Sequence, residues 1–370
     1  MVRCLIVPPV PVPYREPLFA QLTGRRRIEP RVVYQSAGQP GWDQRADWFP
    51  EQHPYESAAL RARQRARPGR TPLLMPRGLG RALREADPGC VVSWEFGAAT
   101  LRALAWCRRR GRPLVVFSEV TVDGEPELTA AQRRMHRLLA PRMAGFIAAS
   151  SAARRRLASL GVDPALIELS LQSADLELFR EASGAPRAGL EPLRVLAVGR
   201  LVRDKNLVRL VQAFGEAGVS DRAELVLCGA GPLEDELRSL AARLSQPVRF
   251  RGYVPPDDLP GVYAEADVAA LVSSYEPFGV TMREAAAVGL PLLCSRTAGA
   301  AGDVAVDGEN ALLVDPADRR QIADALRRLV DDGELRRRLG QGSHAVTERH
   351  PLISDVEAFE RAVLRAAGAA

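Results

Sequence analysis

A chain of 370 residues is longer than one hydrophobic core ordinarily serves, so two domains are expected. Its 46% hydrophobic and 26% charged content excludes a disordered or fibrous chain, and no apolar run approaches the ~18 residues of a membrane span. The net charge of +6 divides unevenly: residues 1–185 hold 28 Arg against 18 acidic residues, and residues 186–370 hold 23 Lys plus Arg against 27.

A basic first half suits an anionic lipid surface, nucleic acid or an acidic acceptor; arginine filling solvated faces is the plainer alternative. Lys205 is the only lysine in the chain, so one compact ammonium stands among guanidinium groups. Cys4, Cys90, Cys107, Cys228 and Cys294 form no CxxC pair and lie mostly in apolar runs. Reduced, buried thiols in a cytoplasmic protein without a zinc site are expected. MVRCLIVPPVP is apolar only briefly and is broken by prolines, which makes a poor signal peptide.

VRCLIVPPV reads as an opening buried strand, and PVPYREPLFAQLTG as a Pro-punctuated loop entering a helix. RVVYQSA is a second strand. Residues 38–70, rich in Pro, Gly, Trp and Arg, predict an irregular segment. GCVVSWEF is a strand that ends on Trp94, Glu95 and Phe96; AATLRALAWCRRRG is an amphipathic helix stopped by Gly111. PLVVFSE ends a further strand on Ser118 and Glu119, and RMAGFIAAS and SAARRRLASLG add a strand and a helix. Strands alternating with helices predict an α/β fold with parallel sheets. A Pro/Gly-rich linker is placed at 181–192, between domains at 1–180 and 193–350.

The second series runs through LRVLAVGR, AELVLCGAG, PVRFRGYV, DVAALVSS, PLLCS and NALLVD as strands with helices between them. Its centre is YEPFGVTMREAAAVGL, residues 275–290. There a strand end, a glycine loop and a helix start bring backbone N–H groups toward an anionic or hydroxyl-rich ligand. Thr281 is the expected cap, with Gly289 and Pro291 as stop signals. Glu276 stands in the loop and Glu284 about one turn into the helix; as an isolated pair they could equally be solvated. Ligands of open parallel sheets collect beyond the carboxyl ends of the strands. Four such loops carry Gly199, Arg200 and Lys205; Gly229 and Gly231; Gly252, Tyr253 and Val254; and Glu276, Pro277, Phe278, Gly279 and Val280. Two cations, glycine-rich backbone and two carboxylates suit a diphosphate joined to hydroxyl-bearing rings. Each charge-assisted contact is worth roughly 1.5–3 kcal/mol. No GxxxxGK[ST] occurs, which excludes P-loop phosphate transfer, and no HExxH or DxD-like acidic pair precedes these loops, which argues against an obligatory metal.

GRLVRDKN, CGAGP, RGYV and EPFGVTMREAAAVGLP followed by GENALLVDPAD resemble the retaining nucleotide-sugar glycosyltransferases of glycosyltransferase family 4, over roughly residues 193–330. The resemblance implies the GT-B fold: two Rossmann-like, doubly wound parallel-sheet domains facing across a cleft. It also implies that the last helix, 351–370, returns to the first domain. The donor would be a nucleotide-diphosphate sugar held by the second domain, with no cofactor and no metal. Arg200 and Lys205 would bind the diphosphate and stabilise the leaving group. Glu276 would contact the transferred sugar beside the N–H groups of Phe278, Gly279 and Val280. Glu284 would hold the ribose, and the Gly252–Val254 stretch would border the base.

The first half departs from the family pattern. PPVPVPYREP replaces the Gly-Gly pair that many members have, so Tyr14 and Arg15 either face the cleft or pack and cap a loop. Ser118 and Glu119 occupy the place of a frequent family histidine, where none of His53, His136, His344 and His350 falls. Glu119 and Glu95 are therefore acceptor-side candidates, or ordinary strand-end residues. Three functions fit: a hexosyltransferase acting on a small natural-product or aminocyclitol-like hydroxyl acceptor; the same chemistry on a lipid-linked or polysaccharide acceptor at the inner membrane face; and a silent nucleotide-sugar binder. A UDP-sugar is the favoured donor on family frequency, with GDP-mannose next. Peripheral contact with an anionic membrane through the basic half is admitted, and nucleic acid is not expected.

Overall fold

Continuous rather than alternating runs of Val, Ile, Leu and Ala form strands buried on both faces, as parallel sheets require. The computed structural model describes residues 1–39, 48–49, 51–67, 70–182 and 192–369, with backbone alone at 65–67 and 70–73. The chain divides into two units, one of residues 1–174 with 352–370 and one of residues 175–351.

The first unit opens with β1 (Val2–Val7), α1 (Glu16–Thr23), β2 (Ile28–Tyr34), β3 (Ser57–Ala59), β4 (Arg61–Arg67) and β5 (Arg70–Arg77). It continues through α2 (Leu79–Ala86), β6 (Cys90–Trp94), α3 (Ala98–Arg110), β7 (Leu114–Ser118) and α4 (Ala130–Leu139). β8 (Gly145–Ala148), α5 (Ser151–Ser159) and β9 (Ile167–Leu169) complete this part. Seven strands form one parallel sheet in the order β3-β2-β1-β6-β7-β8-β9. Alternate residues of each strand feed two cores: Leu5, Val91 and Val116 on one face, Ile6, Val92 and Val115 on the other.

The second unit begins with α6 (Leu176–Glu181), β10 (Leu193–Val198), α7 (Leu207–Ala217), β11 (Ala223–Cys228) and α8 (Glu234–Arg243). β12 (Val248–Gly252), α9 (Leu259–Ala264), β13 (Val268–Leu271), α10 (Val280–Val288), β14 (Leu292–Ser295) and β15 (Ala311–Val314) follow. α11 (Arg319–Asp331) and α12 (Gly333–Arg349) close the unit, and α13 (Leu352–Ala366) belongs to the first. The second sheet is parallel throughout, in the order β12-β11-β10-β13-β14-β15. Among the described residues no helix is long and apolar enough to cross a membrane.

Two differences from the sequence reading have local causes. Residues 57–67 are extended, not irregular: β3 joins the main sheet and β4 pairs with β5 in a separate two-stranded ribbon. RARQRAR alternates with period two, but arginine on one face and small or polar residues on the other hide a strand from any search for apolar alternation. Residues 51–56 are irregular as expected, and residues 40–47, 50, 68 and 69 of that stretch lie outside the described residues. The unit boundary falls at 174/175 rather than near 180, because α6 packs on α10 and Phe179 sets its ring edge on Tyr263, 5.5 Å between centroids. Residues 183–191 of the expected linker also lie outside the described residues.

Candidate active site

In each sheet the strand order reverses once, and loops on either side of the reversal part to leave a crevice at the strands' carboxyl ends. In the second unit the reversal lies between β10 and β13. After β10 the chain passes Gly199 and Arg200 and makes a short 3-10 turn, Arg203–Lys205. Asn206, in the left-handed region at φ 56°, turns the backbone into α7. Its side-chain amide donates to the carbonyls of Val272 at 3.0 Å and Pro316 at 2.8 Å, tying this turn to the end of β13. The loop after β13 carries Glu276. Lys205 Nζ donates to Glu276 Oε2, and Ser273 Oγ donates to the same oxygen at 3.3 Å. The single lysine and the loop carboxylate thus form an ion pair at the switch point. Gly199, Arg200, Lys205 and Val272 line a narrow pocket beside it.

The glycines of the neighbouring loops let backbone pack on backbone. A Cβ on Gly229 would overlap the Gly199 carbonyl, and one on Gly231 would overlap the backbone of Leu201. Gly229 N–H donates to the Gly252 carbonyl at 2.7 Å, so the loops after β10, β11 and β12 are stacked in one layer. The direct role of Gly229 and Gly231 is to allow this approach. Tyr253 and Val254 follow Gly252 and are half-buried.

Gly279 is the N-terminal cap of α10 at φ 99°, where a Cβ would lie 2.7 Å from Leu271 Cδ2. The expected cap, Thr281, instead lies inside the first turn and makes no capping hydrogen bond. Val280 and Thr281 belong to the turn whose N–H groups have no carbonyl four residues back, and that helix end is electropositive. Phe278 is buried and its carbonyl accepts from Ala300 N–H at 2.7 Å; the Glu276 carbonyl accepts from Gly299 N–H at 3.1 Å. The Pro277 carbonyl lies where a Gly299 Cβ would have to be. The SRTAGA loop after β14 is therefore a wall of the site, which sequence reasoning passed over. Thr281 Oγ1 in the first turn of α10 and Thr297 Oγ1 on the loop after β14 are buried with no hydrogen-bond partner among the described residues.

Glu276 and Glu284 have different partners. Glu284, on the buried face of α10, accepts from Tyr263 Oη at 2.7 Å. Burial pushes its carboxyl up to about 7, and the tyrosine hydrogen bond opposes that rise. Tyr263 was not singled out from sequence; its only signal there is its place at the core-facing side of PDDLPGVYAEA.

In the first unit the reversal lies between β1 and β6. Arg15, just before α1, is buried, and its Nη2 donates to Glu119 Oε1 at 2.6 Å. The guanidinium carbon lies 5.3 Å from the Tyr14 ring centre and 5.2 Å from that of Trp94, whose Nε1 also donates to Glu119 at 3.1 Å. Arg15 thus pairs with Glu119, and Tyr14 packs against it. Glu95 sits at φ 48° and turns its carboxylate back on the chain. It accepts from Glu119 N–H, from Val120 N–H at 3.1 Å and from Ser118 Oγ at 3.2 Å. Burial, with the Glu119 charge beside it, raises Glu95 to about 7, against those backbone bonds. Glu95 and Ser118 shape the loop after β7, and Glu119 is the carboxylate that Arg15 and Trp94 hold at its start. Elsewhere in the unit His53 meets Glu16 at 2.8 Å, and burial beside Arg156 lowers His136 to about 4. Among the described residues no three His, Cys, Asp or Glu side chains gather as a metal site.

Residues 180–345 match the family model for glycosyl transferases group 1, and residues 19–173 match that for glycosyltransferase family 4. A D-inositol 3-phosphate glycosyltransferase of Corynebacterium jeikeium (strain K411) is 40% identical over 161 residues, 40% of this chain and 38% of that protein. The sulfoquinovosyl transferase SQD2 of Arabidopsis thaliana is 29% identical over 204 residues, 55% of this chain and 38% of that protein. The matched stretches thus span half or less of these relatives' own lengths. Among solved structures, Anabaena Alr3699/HepE in complex with UDP and glucose superimposes with TM-score 0.76 at 18% identity, covering 98% of this chain and 99% of that one. The lipopolysaccharide outer core galactosyltransferase WaaB superimposes with TM-score 0.71 at 16% identity, covering 98% and 99%. These likenesses identify the two parallel-sheet units as a GT-B fold. With one family model on each unit, the chain carries a glycosyltransferase family 4 domain at residues 19–173 and a glycosyl transferases group 1 domain at residues 180–345.

Proposed function

We propose that the chain is a retaining, metal-independent glycosyltransferase. It moves a hexose-type sugar from a UDP-sugar to a hydroxyl of a small polyol or natural-product acceptor. The observation that carries this reading is the Lys205–Glu276 ion pair at the switch point, with Arg200 in the adjoining loop and the first turn of α10 beside it. A donor diphosphate meets Lys205, Arg200 and the helix N-terminus, which together offer positive charge without an ion. Glu276 then accepts from sugar hydroxyls, and Glu284 accepts from the ribose. In the chemical step the bond from the anomeric carbon to the diphosphate oxygen breaks, and the acceptor oxygen bonds to that carbon on the same face. The acceptor proton passes to the departing diphosphate. The UDP choice is supported by the UDP and glucose held by the Anabaena structure, and the polyol acceptor by relatives named for D-inositol 3-phosphate. Transfer to a lipid-linked acceptor is the second reading, favoured by the uncompensated arginines of the first unit.

A thermal-shift panel of UDP, GDP, ADP and dTDP tests this. UDP should raise the melting temperature of the wild type and not that of Lys205→Ala, and turnover of Lys205→Ala should fall by ~10²-fold or more. A wild type indifferent to all four nucleotides, or a Lys205→Ala variant that responds as well as the wild type, would sink the assignment.

A further inference from the structure

Between Glu56 and Glu85 the sequence holds eight arginines, no acidic residue and no aromatic one. β4 and β5 fold much of this stretch into an antiparallel ribbon. In its register Arg61 pairs with Arg77, Arg63 with Met75 and Arg65 with Leu73, while Ala62 and Gln64 pair with Pro76 and Leu74. Residues directly opposite in such a pair share a face, and successive residues alternate between faces. The Gln64 face turns inward: its amide donates to Ser36 Oγ at 2.9 Å and to the Gly38 carbonyl at 3.0 Å, and Pro76 is buried. The opposite face turns outward, with Arg61, Arg63 and Arg77 exposed and Met75 half-buried in register with them. Gly78 leads β5 directly into α2, whose Arg81 and Arg84 are exposed too. Among the described residues none of these five arginines forms an ion pair with a carboxylate, whereas Arg3 and Arg112 both approach Asp87.

We infer that this ribbon docks the first unit onto an anionic lipid surface. Guanidinium groups bind phosphate through two parallel hydrogen bonds, and a row of them without counter-charges is attracted to an anionic leaflet. Met75, in register with Arg63, suits the boundary between headgroups and acyl chains. Nucleic acid is a poorer match. The stretch offers no ring for a base to stack on, and its one amide, Gln64, is turned inward and engaged. The inference stands apart from the donor reading, since it uses none of the residues assigned to the nucleotide sugar.

The test is co-sedimentation of the full chain with phosphatidylcholine vesicles, with and without phosphatidylglycerol, at low and high salt. Three proteins are compared: wild type; the triple variant Arg61→Ser, Arg63→Ser, Arg77→Ser; and a control that removes the same charge from the end of α3, Arg108→Ser, Arg109→Ser, Arg110→Ser. Binding should require phosphatidylglycerol, weaken with salt, fall by at least about tenfold in the ribbon variant and stay near wild type in the control. Equal losses in both variants would reduce the effect to net charge and overturn the assignment. Absence of wild-type binding would overturn it as well, as would retention on soluble heparin without vesicle binding. An unchanged melting temperature and an unchanged UDP response in the ribbon variant show that the fold and the donor site are intact. Loss of vesicle binding is thereby separated from any failure of the proposed function.

Discussion

At Glu284 burial and one hydrogen bond pull the state of a carboxylate in opposite directions. Tyr263, itself buried, donates to it, while the surrounding apolar packing of α10 disfavours its charge. Its ordinary value of 4.5 is raised to about 7, so between those values the folded chain holds a proton that the unfolded chain has released. Stability from this residue therefore falls as pH rises through that window. Glu284→Gln keeps the acceptor for Tyr263 and removes the titration, so its melting temperature should gain on the wild type between about pH 5 and pH 8. A constant gap in paired thermal melts would remove the burial argument. Tyr263→Phe deletes the bond that favours the carboxylate. The pH at which donor affinity rises should move up, and the donor KM should increase by roughly 2–10-fold with kcat little changed. A variant that loses stability but keeps the wild-type pH profile would make Tyr263 a packing residue only.

At the scale of elements, the site depends on how closely the crossover loops approach. The loops after β10 and β11 touch through the Gly199 carbonyl and the Cα of Gly229, where φ is 140°. Gly229→Ala should force these loops apart, with a cost of about 1–3 kcal/mol or more and a loss of UDP response. Gly97→Ala has nothing within 4 Å of the added carbon and an ordinary φ, so it serves as the neutral comparison in urea melts. A Gly229→Ala protein as stable as the Gly97→Ala one would refute the close-approach account. The strands that carry these loops are legible in sequence because each is a short apolar run closed by glycine or polar residues. β4 is not, since its alternation is of arginine with alanine and glutamine.

At the scale of the whole molecule, the last helix completes the first core. Val356, Phe359 and Val363 of α13 pack with Ile6, Phe19, Val92 and Ile147. Asp355 accepts from Leu171 N–H at 2.7 Å, and Glu360 accepts from Arg25 at 2.6 Å. Residues 352–370 thus belong to a unit whose other residues end at Ala174. Phe359→Ala should destabilise that unit by about 3–5 kcal/mol and leave the residues proposed to hold the donor, in the other unit, untouched. Calorimetry should show one transition moving to lower temperature and the UDP-responsive transition holding its place. A shift of both by the same amount would show that the two units unfold as one.

Sequence by itself determined the α/β class, the two-unit plan and the loops that carry Arg200, Lys205, Glu276 and Glu284. Those are local matters: apolar runs of strand length, helical periodicity, and glycine or charge where a strand ends. Only the tertiary structure decided who meets whom. Lys205 reaches Glu276 because β10 and β13 lie side by side at the strand-order reversal. Tyr263 bonds Glu284 because α9 and α10 share a face of the sheet, Arg15 finds Glu119 across the first sheet's own reversal, and α6 joins the second unit by packing on α10. Periodicity records which side of an element is buried, but the partner on that side is set by strand order, and strand order is chosen by the packing of the whole core.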